Sequence, residues 1–508
     1  MKGKTVQKKK PQNKGQSFFL KEWWLFLFGL VLLLKIPLLF EPFTYADEGI
    51  YLTLGQALKK GLVLYRDIHD NKPPLLYLMA ALSGSFPVYR LVYFLWSLAT
   101  IFAFNRFSSF LFPQKPKTVI LTTSLFAILT SLPMFESNIA NAENFMLLPI
   151  LAGFYLIFRF LGHQGKKENK FSWPWFLAGF LFCLAVLFKV PAVFDFLAAI
   201  LVCLLLLEIK NFKTIFFHLL SALGGFLLPL LGTFVFFGFK QALGFYFDAA
   251  FAQNLPYLSS WGNQQSSTGG LSSGFLIRTL IMTLLILILF FLRKKISLTL
   301  KIIIIWFATS LFAALLSGRP YPHYLLEVLP SFCLSFGLLF EARGKILKIL
   351  PFFFLGLFVF IFYSFHFWYY PNLPYFKNFY QYAFRLKPKN EYLAFFNQQT
   401  ASFYQTANFI RTHTLPEEKI FIWGTKPSIY ALSGRLPVGR YTVSYHVFDF
   451  KGQQETLNAL RFQPPRWLIV TQDEKRDFPQ LDNFIDERYL LFQNFGRIKI
   501  FYRLPQIS

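Results

Sequence analysis

Three acidic residues next to long apolar runs could act as a general base. Asp47 and Glu48 are adjacent in Tyr-Ala-Asp-Glu-Gly (45–49), and either carboxylate could take a proton from an attacking hydroxyl. The same pair could instead stabilise the first turn of a helix, where acids are favoured. Glu143 begins another apolar run. It could simply cap that helix. A carboxylate near hydrocarbon is costly, however, so it could instead be present because it serves a function.

Basic side chains that could neutralise a leaving phosphate lie in the polar segments between apolar runs. Lys72 and Arg66 belong to the dense polar run 65–74, and Arg319 begins Arg-Pro-Tyr-Pro-His. Positive charge is needed where a leaving phosphate becomes more negative. Arg319 could equally snorkel at a membrane interface, and Lys189, at the end of an apolar run, could anchor it or contact phosphate.

Metal and nucleotide sites have weaker signals. His69 and His323 could join Asp47 around a divalent cation, Mg²⁺ or Mn²⁺, but two histidines so far apart are usually polar loop residues. The three cysteines each lie inside an apolar run and fit neither a metal site nor a disulfide framework. Gly-Thr-Lys-Pro (424–427) lacks the glycine spacing of a phosphate-binding loop.

The composition indicates lipid as the solvent for most of the chain. Of the 508 residues 55% are hydrophobic, and 69 are Phe. The formal net charge of +26 could suggest a nucleic-acid partner. However, the basic residues form short runs between apolar stretches, as cytoplasmic loops do, which argues against nucleic acid.

About eleven apolar runs are long enough to cross a bilayer. By residue number they are 23–40, 88–112, 118–133, 142–161, 173–190, 192–207, 214–237, 275–292, 302–317, 323–340 and 350–368. The first has no cleavage site of the A-x-A kind, so we expect it to be retained. If the Lys-rich start is cytoplasmic, every second connection is basic, and the C-terminal region lies outside.

The fold expected from this pattern is a polytopic α-helical membrane protein with a small C-terminal extracytoplasmic α/β domain. Two amphipathic helices in the first external loop, 49–60 and 73–82, are expected to lie along the membrane surface. The tail predicts helices at 401–413, 427–433 and 453–462, strands at 419–423 and 467–471, and a hairpin over 490–504. The resulting segments are a basic tail (1–22), a membrane domain (23–369, with external loop 41–87), a linker (370–390) and the α/β domain (391–508).

Three motifs, taken in order, resemble bacterial members of the GT-C superfamily of glycosyltransferases. They are Asp47-Glu48 with Asn-Lys-Pro-Pro-Leu (71–75), then Ala-Glu (142–143), then Tyr-Pro-His-Tyr-Leu-Leu (321–326). The resemblance is to the protein O-mannosyltransferase-like group, which comprises glycosyltransferase family 39, lipid A aminoarabinose transferases and Rgt-type lipopolysaccharide-core enzymes. It covers nearly the whole membrane part.

The resemblance implies an inverting enzyme of the cell (inner) membrane. Its donor would be a sugar on a polyprenyl phosphate, and its acceptor an envelope glycan, lipid or protein on the extracytoplasmic face. By analogy Asp47 is the catalytic acid with Glu48 beside it, Glu143 is the acid of the second loop, and Lys72 and Tyr324 contact the lipid phosphate. In relatives an acid precedes the lysine and helps to bind metal; here it is Asn71, which argues against a copied metal site.

Two other classes make different predictions. A transporter or flippase of a lipid-linked or envelope substrate would place ionisable residues at mid-membrane and show repeat symmetry. A non-catalytic envelope scaffold would tolerate changes at Asp47. The ionisable residues gather mostly in external loops, which favours the enzyme.

Overall fold

The computed structural model describes residues 14–161, 171–206, 212–253, 273–317, 319–341, 345–367 and 371–505. The expectations for the start of the basic tail, for much of the external loop 240–274, and for the basic connections near residues 166, 210 and 343 fall outside these described residues.

The membrane part is a succession of apolar helices with short irregular turns. Within the described residues its α-helices are α1 Lys14–Lys35, α2 Ala46–Lys59, α3 Leu75–Ser83, α4 Phe86–Leu111, α5 Pro116–Leu129, α6 Ala142–Leu161, α7 Trp173–Phe188, α8 Val193–Leu204, α9 Phe212–Phe239, α10 Leu243–Phe247, α11 Ser273–Leu292, α12 Leu298–Ala314, α13 Leu329–Ser335, α14 Leu338–Glu341 and α15 Lys345–Ser364. Other turns are the 3₁₀ segments Ile36–Leu39, Pro133–Phe135, Val190–Ala192 and Pro322–Glu327, and the π segment Asp248–Ala252.

These helices confirm a polytopic membrane protein. Among the described residues, six helices are long and apolar enough to cross a bilayer, and further apolar helices of 10–17 residues lie between them. Each predicted span coincides with helix. The run 323–340 is not one helix, however: it divides into Pro322–Glu327, α13 and α14. Pro330 at the start of α13 explains one break, because its ring cannot follow an intact helical turn.

Small residues allow α7 and α9 to approach closely. A Cβ atom on Gly179 would lie 1.8 Å from the backbone oxygen of Ala222, and one on Gly225 would lie 1.8 Å from that of Phe176. Apolar side chains gain little from leaving lipid, so close backbone contact of this kind is a usual way to join membrane helices. The contact joins the first half of α7 to α9.

The first external loop contains the two predicted helices, α2 and α3. They cross closely at Gly55, where a Cβ atom would lie 2.6 Å from the backbone nitrogen of Ala81. Protein covers much of α2, because its residues Glu48–Leu54 are buried and the C-terminal domain packs against it; its position along the membrane surface stays a prediction. An amphipathic pattern does not distinguish a lipid surface from a protein surface.

The C-terminal part forms helices on both sides of a mixed sheet. Its elements are α16 Asn372–Ala383, α17 Lys389–Phe396, α18 Thr400–His413, β1 Phe421–Trp423, α19 Ser428–Ser433, α20 Ser444–Asp449, α21 Gln453–Phe462, β2 Trp467–Thr471, α22 Pro479–Arg488, β3 Tyr489–Phe495 and β4 Ile498–Arg503. The strand order is β1-β2-β4-β3, with β1 parallel to β2 and the other pairs antiparallel. The small α/β domain is thus confirmed, although α16 and α17, in and after the predicted linker, and α20 and α22 were not predicted.

Candidate active site

Asp47 lies in the first turn of α2, where the chain changes from extended backbone at Tyr45 to helix. Its side chain is 26% exposed, and Nζ of Lys72 lies 3.7 Å from its Oδ2 atom. The hydroxyl of Tyr51, one turn along the same helix face, donates a hydrogen bond to the same oxygen at 3.1 Å. Asp47 is therefore an accessible carboxylate held between an ammonium group and a phenol.

Tyr51 lies within the electrostatic influence of this carboxylate and of two other acids. Burial, with the negative charges of Asp47, Asp70 and Glu143, raises the pKa of the Tyr51 phenol well above its usual value. The phenol therefore keeps its proton at neutral pH and remains a donor to Asp47. The ammonium of Lys72 also lies 5.1 Å from the centre of the Tyr51 ring, a cation–π distance.

Glu48 points in a different direction from Asp47, because successive residues of an α-helix are turned by about 100°. Its side chain is completely buried, and Nη2 of Arg90 lies 2.6 Å from its Oε2 atom. Nε of Arg90 and the backbone N–H of Ala140 donate further hydrogen bonds to it at 3.2 and 3.1 Å. Arg90 also binds the backbone oxygens of Leu38 and Glu41, so this pair joins α4, the end of the first span and the second external loop.

The loop that carries Lys72 is fixed by backbone hydrogen bonds. The hydroxyl of Tyr65 donates to the carbonyl of Lys72 at 2.8 Å, and the N–H of Lys72 donates to the hydroxyl of Tyr77 at 3.2 Å. Tyr77 in turn donates to the buried carboxylate of Asp70 at 2.7 Å. Pro73 and Pro74 then lead directly into α3. The backbone from which the Lys72 side chain extends is therefore held by buried tyrosines.

Glu143 lies in a second group of charged side chains at the start of α6. Its carboxylate forms a buried ion pair with Lys189, and Nε2 of His323 lies 3.4 Å from its Oε1 atom. The other ring nitrogen of His323 contacts Glu136. The ammonium of Lys189 lies 3.8 Å from the centre of the Tyr324 ring. The structure therefore brings together Glu143, Lys189, His323 and Tyr324, four of the residues singled out in the sequence.

Tyr45 links this second group to the first. Its hydroxyl donates to Oε1 of Glu136 at 3.1 Å, and it lies two residues before Asp47. Glu136 was missed in the sequence because it lies in a short loop without a motif. Its backbone is in the left-handed region, with φ of 53°, which is uncommon outside glycine and asparagine. That conformation directs its buried carboxylate towards His323.

Other residues singled out in the sequence lie outside these two groups. Arg66 forms an ion pair with Asp67 and donates to the carbonyl of Lys240, so it joins two external segments. Arg319 is exposed, and its N–H donates to the side chain of Ser317. His69 is buried against Tyr441 and Phe450 of the C-terminal domain. Burial, followed by the charges of His446 and Arg440, lowers the pKa of His69 to about 3.

The metal site considered in the sequence does not fit these positions. His69 faces the C-terminal domain, His323 lies between Glu136 and Glu143, and Asp47 is paired with Lys72. No group of three or more His, Cys, Asp or Glu side chains suited to a metal ion occurs in the part of the chain that the structure describes. The residue before Lys72 is the neutral Asn71, which adds no carboxylate to these positions.

The fold has clear counterparts among solved structures, although no protein-family model and no curated protein matches the sequence. ArnT from Cupriavidus metallidurans, bound to undecaprenyl phosphate, is 11% identical with a TM-score of 0.57 over 96% of this chain and 99% of that one. Its apo form is 12% identical, also with a TM-score of 0.57, over 95% and 98%. An oligosaccharyltransferase from Archaeoglobus fulgidus is 12% identical with a TM-score of 0.45, over 89% and 70%. The likeness to ArnT extends over both the membrane part and the C-terminal domain, and the chain therefore has the GT-C fold.

Proposed function

We propose that the chain is a membrane glycosyltransferase that moves a sugar from a polyprenyl-phosphate donor to a hydroxyl group of a cell-envelope glycan, lipid or protein. The observation that carries the proposal is the Asp47–Lys72 pair, 3.7 Å apart and about one quarter exposed on each side. A carboxylate and an ammonium at that separation supply the base and the positive charge that such a transfer needs. The fold shared with ArnT, whose structure holds undecaprenyl phosphate, supports a lipid-phosphate carrier.

In the proposed reaction, the acceptor oxygen attacks the anomeric carbon, and its proton passes to Asp47. The bond between that carbon and the phosphate oxygen breaks, and its electron pair leaves with the lipid phosphate. Attack from the side opposite the phosphate inverts the anomeric centre. General base catalysis by a positioned side chain typically contributes about 10²–10⁴-fold to the rate.

Lys72 can contact either of the two negative groups in this reaction, the Asp47 carboxylate and the donor phosphate. Without substrate its ammonium lies 3.7 Å from the Asp47 carboxylate. A donor phosphate competes for that ammonium, so the carboxylate is free to accept the proton of the acceptor when the donor is bound. Lys189, held at the second group by Glu143 and Tyr324, is the second cation that we assign to the lipid phosphate.

The proposal places the reaction on the extracytoplasmic face of the cell membrane, with the N-terminus in the cytoplasm. It rests on the sequence, where the basic runs alternate with connections that are nearly free of lysine. Asp47 and Lys72 both belong to the first external loop, and the C-terminal domain covers that loop. A reporter fused after Ser508 would therefore be accessible from outside in intact cells.

The test is Asp47→Asn, which keeps the shape of the side chain and removes the base. Membranes containing the full chain are supplied with undecaprenyl phosphate carrying a radiolabelled hexose or pentose, and label that enters envelope material is counted. We expect transfer to fall by at least about 100-fold, while the exposed control Asp486→Asn keeps the wild-type rate. Wild-type transfer by Asp47→Asn would remove the catalytic assignment. Movement of intact labelled donor across the membrane without cleavage would favour a transporter instead.

A further inference from the structure

The C-terminal domain is joined to the helix that carries Asp47. A Cβ atom on Gly49 would lie 2.5 Å from the backbone nitrogen of Ser428, so α2 and α19 touch through their backbones. Further along α2, Thr53 and Gln56 donate hydrogen bonds to the carbonyls of Pro427 and Ala431 at 3.3 and 2.9 Å. The domain thus forms part of the surroundings of the site.

Helix α20 of this domain faces the Lys72 loop. Tyr445 packs against the apolar core of the membrane part and interacts electrostatically with Asp47, Asp70 and Tyr321. His446, the next residue, is buried, and its Nε2 atom lies 3.5 Å from Oδ1 of Asp70. The backbone N–H of His69 also donates to the carbonyl of Arg440 in the C-terminal domain at 2.9 Å. The domain therefore contacts the loop two residues before Lys72.

Asp70 is a buried carboxylate whose partners lie on both sides of this interface. Besides His446, it accepts hydrogen bonds from the Tyr77 hydroxyl and the N–H of Asn71 at 2.7 and 2.9 Å. Burial raises the pKa of Asp70, but the charge of Lys72, together with the hydrogen bonds from Tyr77 and Asn71, outweighs burial and leaves the pKa below its usual value. Asp70 is therefore ionised at neutral pH and attracts the same ammonium that lies near Asp47.

We propose that His446 is a positioning residue for Lys72 and that it acts through Asp70. The Nε2 atom of His446, protonated in one neutral tautomer, lies 3.5 Å from the Asp70 carboxylate and offsets part of that buried charge. Without this donor, the carboxylate attracts the Lys72 ammonium more strongly and draws it away from Asp47. The inference rests on the proposed function, since it assigns His446 to the same reaction.

The test compares two replacements of similar size, His446→Gln and His446→Met, in the full chain in membranes. Glutamine can donate a hydrogen bond to Asp70, whereas methionine fills the space without a donor. With the radiolabelled undecaprenyl-phosphate sugar that the wild type uses, we expect kcat to fall about tenfold for His446→Met, with the KM for acceptor little changed. His446→Gln should keep most of the rate. His413→Ala, on the exposed end of α18, is the control and should behave as wild type.

Two further measurements separate positioning from packing. Thermal unfolding in detergent should show that the glutamine and methionine variants are both fully folded at the assay temperature. Asp70→Asn should remove the difference in kcat between them, because effects that act through one shared group are not additive. Equal rates for the two His446 variants, or a difference that persists in the Asp70→Asn background, would overturn the inference. A wild-type chain that transfers no sugar would instead count against the proposed function.

Discussion

Replacing Glu48 with glutamine tests whether the second acid of the motif serves structure or chemistry. Its carboxylate is fully buried and is bound by Nε and Nη2 of Arg90 and by the N–H of Ala140. Glutamine has nearly the same shape, but it removes the negative charge and presents an NH₂ or a neutral oxygen to the guanidinium. Breaking a buried pair by removing one partner typically costs about 3–5 kcal/mol, because the other charge stays uncompensated at low dielectric.

The assay is thermal or denaturant unfolding in detergent, combined with transfer measured per folded molecule. We expect Glu48→Gln and Arg90→Gln each to lower the free energy of unfolding by several kcal/mol. The apolar double variant Glu48→Leu with Arg90→Met should recover part of that loss, since neither member of the Glu48–Arg90 pair is then left as a charge without the other. Asp47→Asn, in contrast, should unfold at nearly the wild-type midpoint, because the Asp47 side chain is 26% exposed.

A Glu48→Gln protein that keeps wild-type stability but transfers no sugar would refute this reasoning. That result would show that the carboxylate is required in the reaction and that its burial beside Arg90 does not describe the working state. Loss of stability together with residual transfer per folded molecule would support the structural assignment.

Two further predictions concern the surroundings of the first loop. Burial, opposed by Arg90 and by hydrogen bonds from Tyr375 and Asn138, raises the pKa of Glu41 from 4.5 to about 7. The folded protein then holds this proton more tightly than the unfolded chain, so the resulting stability is complete below pH 4.5 and is lost as the pH rises through 7. One pKa unit corresponds to about 1.36 kcal/mol. The free energy of unfolding of the wild type, relative to that of Glu41→Gln, should therefore fall by about 3 kcal/mol between pH 4.5 and about pH 8, as measured by unfolding in detergent. A difference between the two proteins that does not change with pH would contradict the assignment. Gly49→Ala should separate α19 from α2, because the new Cβ atom would lie 2.5 Å from the nitrogen of Ser428. For Gly49→Ala we expect faster proteolysis of the C-terminal domain and slower sugar transfer. Gly61→Ala is the control: a Cβ atom there would meet nothing within 4 Å, although φ is +86°, so this variant should show only local backbone strain.

Burial of Glu41 and Glu48 beside Arg90 gives these acids surroundings that differ from those of Asp47. The guanidinium can compensate the carboxylates that face it, and it donates hydrogen bonds to backbone carbonyls of the chain just after the first span. Asp47 faces away from this buried group and is left with the partly exposed ammonium of Lys72. Adjacent residues in the sequence can therefore have very different surroundings in the folded chain.

Much of the architecture could be predicted from the sequence because its signals are local. The length of an apolar run predicts a membrane helix. The alternation of basic connections with connections that are nearly free of lysine predicts a topology. In the tail, helix 453–462 and strand 467–471 were predicted with the bounds that the structure has. The break in 323–340 was missed because the composition of that run remains apolar throughout, while backbone geometry at Pro322 and Pro330 divides it.

The sequence by itself determined that this chain is a polytopic helical membrane protein with a small α/β domain and nominated Asp47, Glu143, Lys72 and Lys189. The tertiary structure decided their partners: Asp47 faces Lys72 and Glu143 faces Lys189, whereas the adjacent Glu48 is buried against Arg90. It also added Glu136 and His446, which lie 89 and 399 residues after Asp47 and belong to no motif. The physical reason is that charge pairing depends on distances of a few ångströms between segments far apart in the chain, and local sequence patterns do not specify those distances.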